Sequence, residues 1–205
     1  RRSRGLGDVY KRQGADITEF KDFNKEEGRA LSATGHISLF NRISNASKPY
    51  IAAINGFALG GGLELAMACH VRIASANAKM GLPESSLGVI PGYGGTQRLV
   101  QLIGKGRALE MMFSAKMIDS ETAEKYGLVN KICDPEGLMV ESLKMANSFI
   151  KNSGDAQAAI IRVVNSTLEG SQGFDSEIKE FGDRFGSAEF AEGTKAFIEK
   201  RKPNF

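Results

Sequence analysis

The segment GFALGGGLELAMAC, residues 56–69, is the most informative part of the chain, because three consecutive glycines lead directly into a helix-forming run. Glycine is conformationally costly, so Gly60, Gly61 and Gly62 predict a turn that something approaches too closely for side chains. A bare turn at a helix N-terminus presents unpaired N–H groups and the positive end of the helix dipole. Two interpretations remain open: a site for an anion, or an oxygen that becomes anionic during reaction, and a close strand–helix contact between small residues.

Other catalytic and phosphate-binding motifs do not fit the sequence. The glycine triplet lacks the Gly-Lys-Ser/Thr ending of a P-loop and the spacing of a dinucleotide-binding turn. No serine or cysteine lies in a GxSxG elbow. His36 and His70 lack metal-ligand spacing, so both are predicted to be structural or surface residues. Metal and covalent mechanisms are therefore disfavoured.

The composition is that of an ordinary globular protein. The chain has 205 residues, 41% hydrophobic and 25% charged, enough for one domain with a core and a small appendage. No apolar run approaches the roughly 20 residues of a membrane span, so we expect no membrane partner. Cys69 and Cys133 fit a reduced, cytoplasmic protein better than a disulfide framework, and Cys69 is predicted to fill the core.

The net charge of +3 comes from the first residues. Residues 1–13 carry five of the 27 basic and one of the 24 acidic residues, which leaves 22 basic and 23 acidic residues, a net of −1, in the rest. This head could be a nucleic-acid arm or a targeting peptide, but it lacks an apolar segment. We expect a foreign tail on a chain whose true beginning is missing, and no nucleic-acid partner for the near-neutral body.

Hydrophobic periodicity and turn residues predict an α/β protein with a helical C-terminal third. Helices are predicted at about 25–43, 62–69, 96–103, 106–113 and from Asp119 or Ser120 to Gly127. Strands are predicted at 50–55, fully buried, at 71–75 and at 128–132, and a long functional loop at 80–99. From about Glu136 onward we expect only helices, with breaks near 154, 170–173 and 186–187, packed on the core or on a partner subunit.

Two glutamates lie in apolar, glycine-rich surroundings. Glu64 is in the first turn of the helix after the glycines, and Glu84 follows Pro83 in the long loop. Taken singly, a first-turn acid is ordinary dipole complementation and a loop glutamate is usually solvated. Together, two carboxylates in unlike environments can divide the roles of general acid and general base.

Five segments resemble the enoyl-CoA hydratase (crotonase) family, in that family's order. They are GADITEF (14–20), PYIAAINGFALGGGLELAMACHVRIAS (49–75), MGLPESSLGVIPGYGGTQRL (80–99), MIDSETAEKYGLVNKI (117–132) and FIEKRKPNF (197–205). The resemblance implies a crotonase-like α/β core of ββα repeats wound as a spiral, with its first strands missing. It divides the chain into a non-family head at 1–13, a partial core at 14–135 and a helical trimerisation region at 136–205.

The resemblance also implies a binding site for an acyl-CoA. The N–H groups of Ala15 and Gly61 would form an oxyanion hole for the thioester carbonyl. The segment Ala15, Asp16, Ile17 and Thr18 would line the thioester and its pantetheine arm. Phe197 and Lys200 would reach CoA bound in an adjacent subunit of a homotrimer or dimer of trimers. No separate cofactor is expected, because CoA is part of the substrate.

The activity implied by the resemblance is hydration of a 2-enoyl-CoA in fatty acid β-oxidation, with Glu64 as the base on water and Glu84 as the acid. An enoyl-CoA isomerase is the alternative, since isomerases can work with one carboxylate at the position of Glu84. Leu82 departs from the glutamine that many hydratases carry there, which loosens the prediction of acyl specificity. A non-catalytic, RNA-binding relative and an inactive fragment are the remaining alternatives.

Overall fold

The computed structural model describes residues 22–168, 173–185 and 187–205. The head at 1–13 and the predicted CoA-binding segment of Ala15, Asp16, Ile17 and Thr18 lie outside the described residues. The strands are β1 (Ile51–Ile54), β2 (Phe57–Leu59), β3 (Val71–Ser75), β4 (Lys79–Gly81), β5 (Ile118–Asp119) and β6 (Lys131–Cys133). The helices are α1 (Lys25–Gly35), α2 (Asn41–Ser44), α3 (Gly61–Ala68), α4 (Gly95–Ile103), α5 (Lys105–Ser114), α6 (Ser120–Tyr126), α7 (Leu138–Phe149), α8 (Gly154–Leu168), α9 (Gly173–Arg184) and α10 (Ala188–Ile198).

Short polar residues begin several of these helices. Before α1, the side chain of Asn24 accepts the N–H groups of Glu26 and Glu27, and Glu27 in return accepts the N–H of Asn24. Before α6, Asp119 accepts the N–H of Thr122 at 2.9 Å, which makes Asp119 the N-cap of that helix. Gly127 ends α6 in the left-handed conformation, with φ of 85°, as the sequence predicts.

Two three-stranded sheets form the framework of the described residues. In the first sheet β3 lies between β1 and β6 and is parallel to both. In the second sheet β4 lies between β2, which is parallel to it, and β5, which is antiparallel. Leu59 pairs with Gly81 at the end of β2, and the N–H of Gly60 extends this pairing to the carbonyl of Gly81 at 3.0 Å. The sheet therefore fixes where the glycine turn begins.

The hydrophobic core gathers around α3, α4 and the strands. The largest apolar side chains without measurable exposure are Leu63, Ile73, Met80, Leu82, Leu99 and Leu128. Leu82, which precedes Pro83 and Glu84, is thus completely buried. Burying a leucine side chain of this kind contributes about 2 kcal/mol.

The chain forms two compact units. The first contains the described residues 22–42 and 51–142, and the second those of 43–50 and 143–205. Within the second unit, Arg162 on α8 donates two hydrogen bonds of 2.7 Å to Glu180 on α9. None of the helices in the described ranges has the length and apolar character of a membrane span.

The apolar stripe predicted for residues 25–43 is the main departure from expectation. Ala30 and Ala33 are exposed, Ile37 is 72% exposed, and Phe40 alone of this stripe is buried. Residues His36–Phe40 form a π-helical turn after α1, which widens the helix and changes its periodicity. The helix predicted at 25–43 is thus interrupted by the π turn, whose His36 and Phe40 contact Tyr93.

Two smaller expectations about burial also differ from the structure. The segment predicted as a fully buried strand forms β1, but Ile54 is its single buried residue. Cys69 is the C-cap of α3 and only half-buried, because α3 ends before it and its backbone turns to the extended conformation. Burial nevertheless raises the pKa of the Cys69 thiol.

Candidate active site

The glycine turn places the N-terminus of α3 beside the end of β2. Gly60 adopts φ of 52° and ψ of −126°, a conformation that strongly favours glycine. Its carbonyl accepts the N–H of Glu64 at 3.0 Å, which closes the first turn of α3. Gly61 is the first residue of that helix, so its N–H has no acceptor within the helix. The turn therefore offers a backbone donor directly before Glu64.

The Glu64 carboxylate is buried and held by backbone amides. Its side chain is among the largest that are completely enclosed, with 1% exposure. The N–H groups of Tyr93 and Gly95 both donate to its Oε1, each at 2.8 Å. Burial raises the pKa of Glu64, while these two hydrogen bonds and the charges of His36 and Arg98 oppose the rise. The two amides fix the orientation of the carboxylate through its Oε1.

The loop that carries these amides is itself held by aromatic packing. The ring of Tyr93 stacks on Phe40, with centroids 4.8 Å apart and planes at 8°. The His36 ring lies edge-on to the same ring, with centroids 6.5 Å apart, so residues at both ends of the π turn contact Tyr93. A methyl group on Gly35 would lie 2.3 Å from the Tyr93 ring, which shows how closely the ring covers that backbone. The π turn thus positions the loop residue that donates to Glu64.

Glu84 presents the second carboxyl group. It begins a short 3₁₀ turn after Pro83, and its Oε2 is buried without a hydrogen-bond partner among the described residues. Ser85, next in the turn, donates its hydroxyl to the carbonyl of Met112 at 2.6 Å and anchors the turn on α5. Burial raises the pKa of Glu84, and the charge of Glu64 raises it further. The structure therefore brings both predicted carboxyl groups into one electrostatic environment.

The other predicted site residues have different outcomes. Phe197 and Lys200 lie in the second unit and are exposed, Phe197 by 85%. Ala15 and the three residues after it lie outside the described residues. In the part of the chain that the structure describes, no group of three or more His, Cys, Asp or Glu side chains could hold a metal ion.

Sequence reasoning did not predict the partners of Glu64. Tyr93 and Gly95 act through their backbone N–H groups, which are common to nearly every residue type. The glycines of PGYGGTQ (91–97) were the available signal, because a methyl group on Gly95 would lie 2.9 Å from Glu64 Oε1. Arg98 and His36 were likewise not predicted to face a carboxylate.

Comparisons with known proteins identify the family of the chain. The sequence profile described as enoyl-CoA hydratase/isomerase matches residues 5–205. The chain is 43% identical over 202 residues to the short-chain-enoyl-CoA hydratase of Clostridium acetobutylicum, covering 97% of this chain and 76% of that protein. It is 42% identical over 206 aligned residues to the crotonyl-CoA hydratase of Syntrophomonas wolfei, covering 98% of this chain and 78% of that protein.

A solved structure gives the same result. The crystal structure of an enoyl-CoA hydratase from Bacillus anthracis superposes with a TM-score of 0.87 at 34% identity, covering 94% of this chain and 75% of that one. The chain belongs to the enoyl-CoA hydratase/isomerase family. The predicted family and its α/β crotonase-type fold are thereby confirmed.

Proposed function

We propose that this protein is an enoyl-CoA hydratase, which adds water across the 2,3 double bond of a 2-enoyl-CoA thioester. The observation that carries the proposal is a pair of interacting carboxyl groups, the buried Glu64 in the first turn of α3 and the half-buried Glu84. Glu64 is held by two amide N–H groups, whereas the Oε2 of Glu84 has no partner among the described residues. The names of the relatives, a short-chain-enoyl-CoA hydratase and a crotonyl-CoA hydratase, support the same reaction.

The two environments suit different roles in hydration. Burial raises the pKa of Glu64, but hydrogen bonds from Gly95 and Tyr93 oppose that rise and favour its charged form, so we assign this group as the base that takes a proton from water. Burial and the nearby Glu64 charge favour the neutral form of Glu84, so this group is the acid. The water oxygen bonds to C3, its proton passes to Glu64, and the α carbon receives the proton of Glu84.

The glycine turn would stabilise the charge that develops on the thioester oxygen. The N–H of Gly61 is one proposed donor, since it lies at the first position of α3 without an intrahelical acceptor. The N–H of Ala15 is the second proposed donor, by resemblance to the family. Each such donor lowers the barrier by about 3 kcal/mol, because its dipole is already aligned when the charge forms. No separate cofactor is proposed, because CoA is part of the substrate.

We further propose that the protein is a homotrimer or a dimer of trimers. Large apolar side chains of the second unit are exposed, as expected of surfaces that a partner covers: Phe174 by 82%, Ile178 by 71%, Phe181 by 66% and Phe197 by 85%. Phe197 and Lys200 would then contact CoA in an adjacent subunit. Analytical ultracentrifugation with and without Phe197→Ser tests this proposal, and a monomeric, fully active wild-type protein would contradict it.

The reaction is tested with crotonyl-CoA and with a 3-enoyl-CoA. We expect rapid hydration of crotonyl-CoA that Glu64→Gln and Glu84→Gln each reduce by about 10²-fold or more, because each variant removes one proton-transfer group. Isomerisation of the 3-enoyl-CoA without hydration of crotonyl-CoA would favour the isomerase. Full hydratase activity in Glu64→Gln would refute the two-carboxylate mechanism.

A further inference from the structure

Arg98 holds the residue whose N–H binds Glu64. Arg98 lies in the first turn of α4, and its Nη1 donates to the carbonyl oxygen of Tyr93 at 2.8 Å. The N–H of Tyr93 donates to Glu64 Oε1 at the same distance. Both the N–H and the C=O of Tyr93 are therefore hydrogen-bonded. Gly95 is two residues further along the same backbone, so the position of its N–H depends on that of Tyr93.

The backbone at Gly94 leaves room for this contact. Gly94 has φ of 98°, and a methyl group there would lie 2.2 Å from Arg98 Nη1. The guanidinium thus covers the bare α carbon of Gly94, where any larger residue would displace it. The backbone N–H of Arg98 also donates to the Gly94 carbonyl at 2.9 Å. Arg98 therefore forms the first hydrogen bond of the helix with its backbone and contacts the preceding loop with its side chain.

The charge of Arg98 acts on the same carboxylate. It lowers the pKa of Glu64, and the Glu64 charge in turn opposes the fall that burial causes in the pKa of Arg98. Among the described residues, the other titratable groups that interact with Glu64 are His36 from the π turn, Tyr93 from the loop and Glu84 from the 3₁₀ turn. Of these, Glu84 is the proposed acid, and the charge of Glu64 raises its pKa.

We propose that Arg98 is a positioning residue, which holds the Tyr93 carbonyl and so aims two backbone N–H groups at Glu64. Arg98 does not touch the reacting atoms in this scheme. Its contribution to rate depends on the proposed role of Glu64 as the base, whereas its effect on the Glu64 carboxyl does not depend on that role.

The test compares Arg98→Met and Arg98→Lys with the wild-type protein, and uses Arg107→Met as the matched control. Arg107 lies on α5 with its guanidinium 4.4 Å from the centroid of the Tyr126 ring, apart from this loop. Two measurements are made on the full chain: the pH profile of crotonyl-CoA hydration, and the titration of the Glu64 carboxyl by ¹³C NMR.

In Arg98→Met we expect kcat to fall about 10- to 100-fold, because small misplacements of a catalytic group have effects of that size. KM should change less than kcat, and the acidic limb of the profile should move to higher pH, since Glu64 loses a stabilising charge. Arg98→Lys keeps the positive charge but loses the planar guanidinium that donates to the Tyr93 carbonyl. In this variant the acidic limb of the pH profile should stay near its wild-type position, while kcat should be as low as in Arg98→Met. Arg107→Met should match wild type.

Two results would overturn the inference. One is an unmoved Glu64 titration in Arg98→Met, whatever the activity, because a purely structural arginine would give that result. The other is wild-type kcat in both Arg98 variants. Failure of the proposed function is recognised separately, by full activity in Glu64→Gln, and the carboxyl titration still decides the role of Arg98 in that case.

Discussion

The substitution Gly95→Ala tests whether the orientation of Glu64 controls the reaction. Gly95 is buried at the start of α4, and its φ lies outside the left-handed region, so alanine meets no backbone strain there. The added methyl would lie 2.8 Å from Pro91 Cβ, 2.9 Å from Glu64 Oε1 and 3.1 Å from Glu64 Cγ. Carbon atoms normally approach to about 3.5–4.0 Å, so something must move by roughly 0.5–1 Å.

The magnitudes separate the effect on stability from the effect on rate. Alanine is favoured over glycine in a helix by about 1 kcal/mol, whereas overpacking a core costs about 1–3 kcal/mol. The net loss of unfolding free energy is therefore about 0–2 kcal/mol, and the protein should remain folded. Displacing Glu64 by this distance should lower kcat about 10- to 100-fold, because catalysis depends on near-ideal placement of the reacting groups.

The assay is the rate of crotonyl-CoA hydration, with thermal unfolding followed by circular dichroism. Gly106→Ala is the control, since Gly106 lies in the first turn of α5 with nothing within 4 Å of an added methyl group. This control gains helix propensity without a collision, so it should be slightly stabilised and fully active. A folded Gly95→Ala protein with wild-type kcat would refute the reasoning, provided that Glu64→Gln is inactive.

Three further predictions concern pH and packing. The pH profile of kcat/KM should be bell-shaped and displaced upward from ordinary carboxyl values, since burial raises both pKa values: rate is lost at low pH as Glu64 is protonated, and at high pH as Glu84 ionises. In Glu64→Gln the pKa of Glu84, followed by ¹³C NMR, should fall because a neighbouring negative charge is gone; an unchanged titration would show that the two groups do not interact. Phe40→Ala should lower the unfolding free energy by about 3 kcal/mol in denaturant titrations and reduce kcat through Tyr93, whereas Phe113→Ala, at a residue that is 75% exposed, should do neither.

Sequence patterns predicted the helices of this protein well where cap residues mark their ends. The predicted helix that ends at Gly127 and the two helices on either side of Gly104 match α6, α4 and α5 within a few residues. The two- and three-residue strands β2, β4 and β5 were not predicted. They are too short to show alternation, and backbone pairing with neighbours distant in sequence defines them.

The two carboxyl groups of the candidate site were proposed from the sequence, but the backbone groups that hold Glu64 were not. Both glutamates were recognised because carboxyl groups in apolar, glycine-rich segments are unusual. The donors to Glu64 lie 29 and 31 residues further along the chain and use backbone N–H groups, which leave no residue-type signature. The exposure of Ala30 and Ile37 has a related explanation. The π turn changes the helical periodicity, so that His36 and Phe40 contact the Tyr93 ring.

The two glutamates have different hydrogen-bond partners, and this difference is the physical basis for the opposite roles proposed for them. Glu64 is buried and Glu84 half-buried, and burial raises the pKa of each. The backbone breaks this equivalence, because the amides of Tyr93 and Gly95 favour the charged form of one carboxyl group. The charge held there then opposes ionisation of the other. The loop that Arg98 and the π turn contact therefore treats the two glutamates differently, and under the proposed mechanism this difference would make Glu64 the proton acceptor and Glu84 the donor.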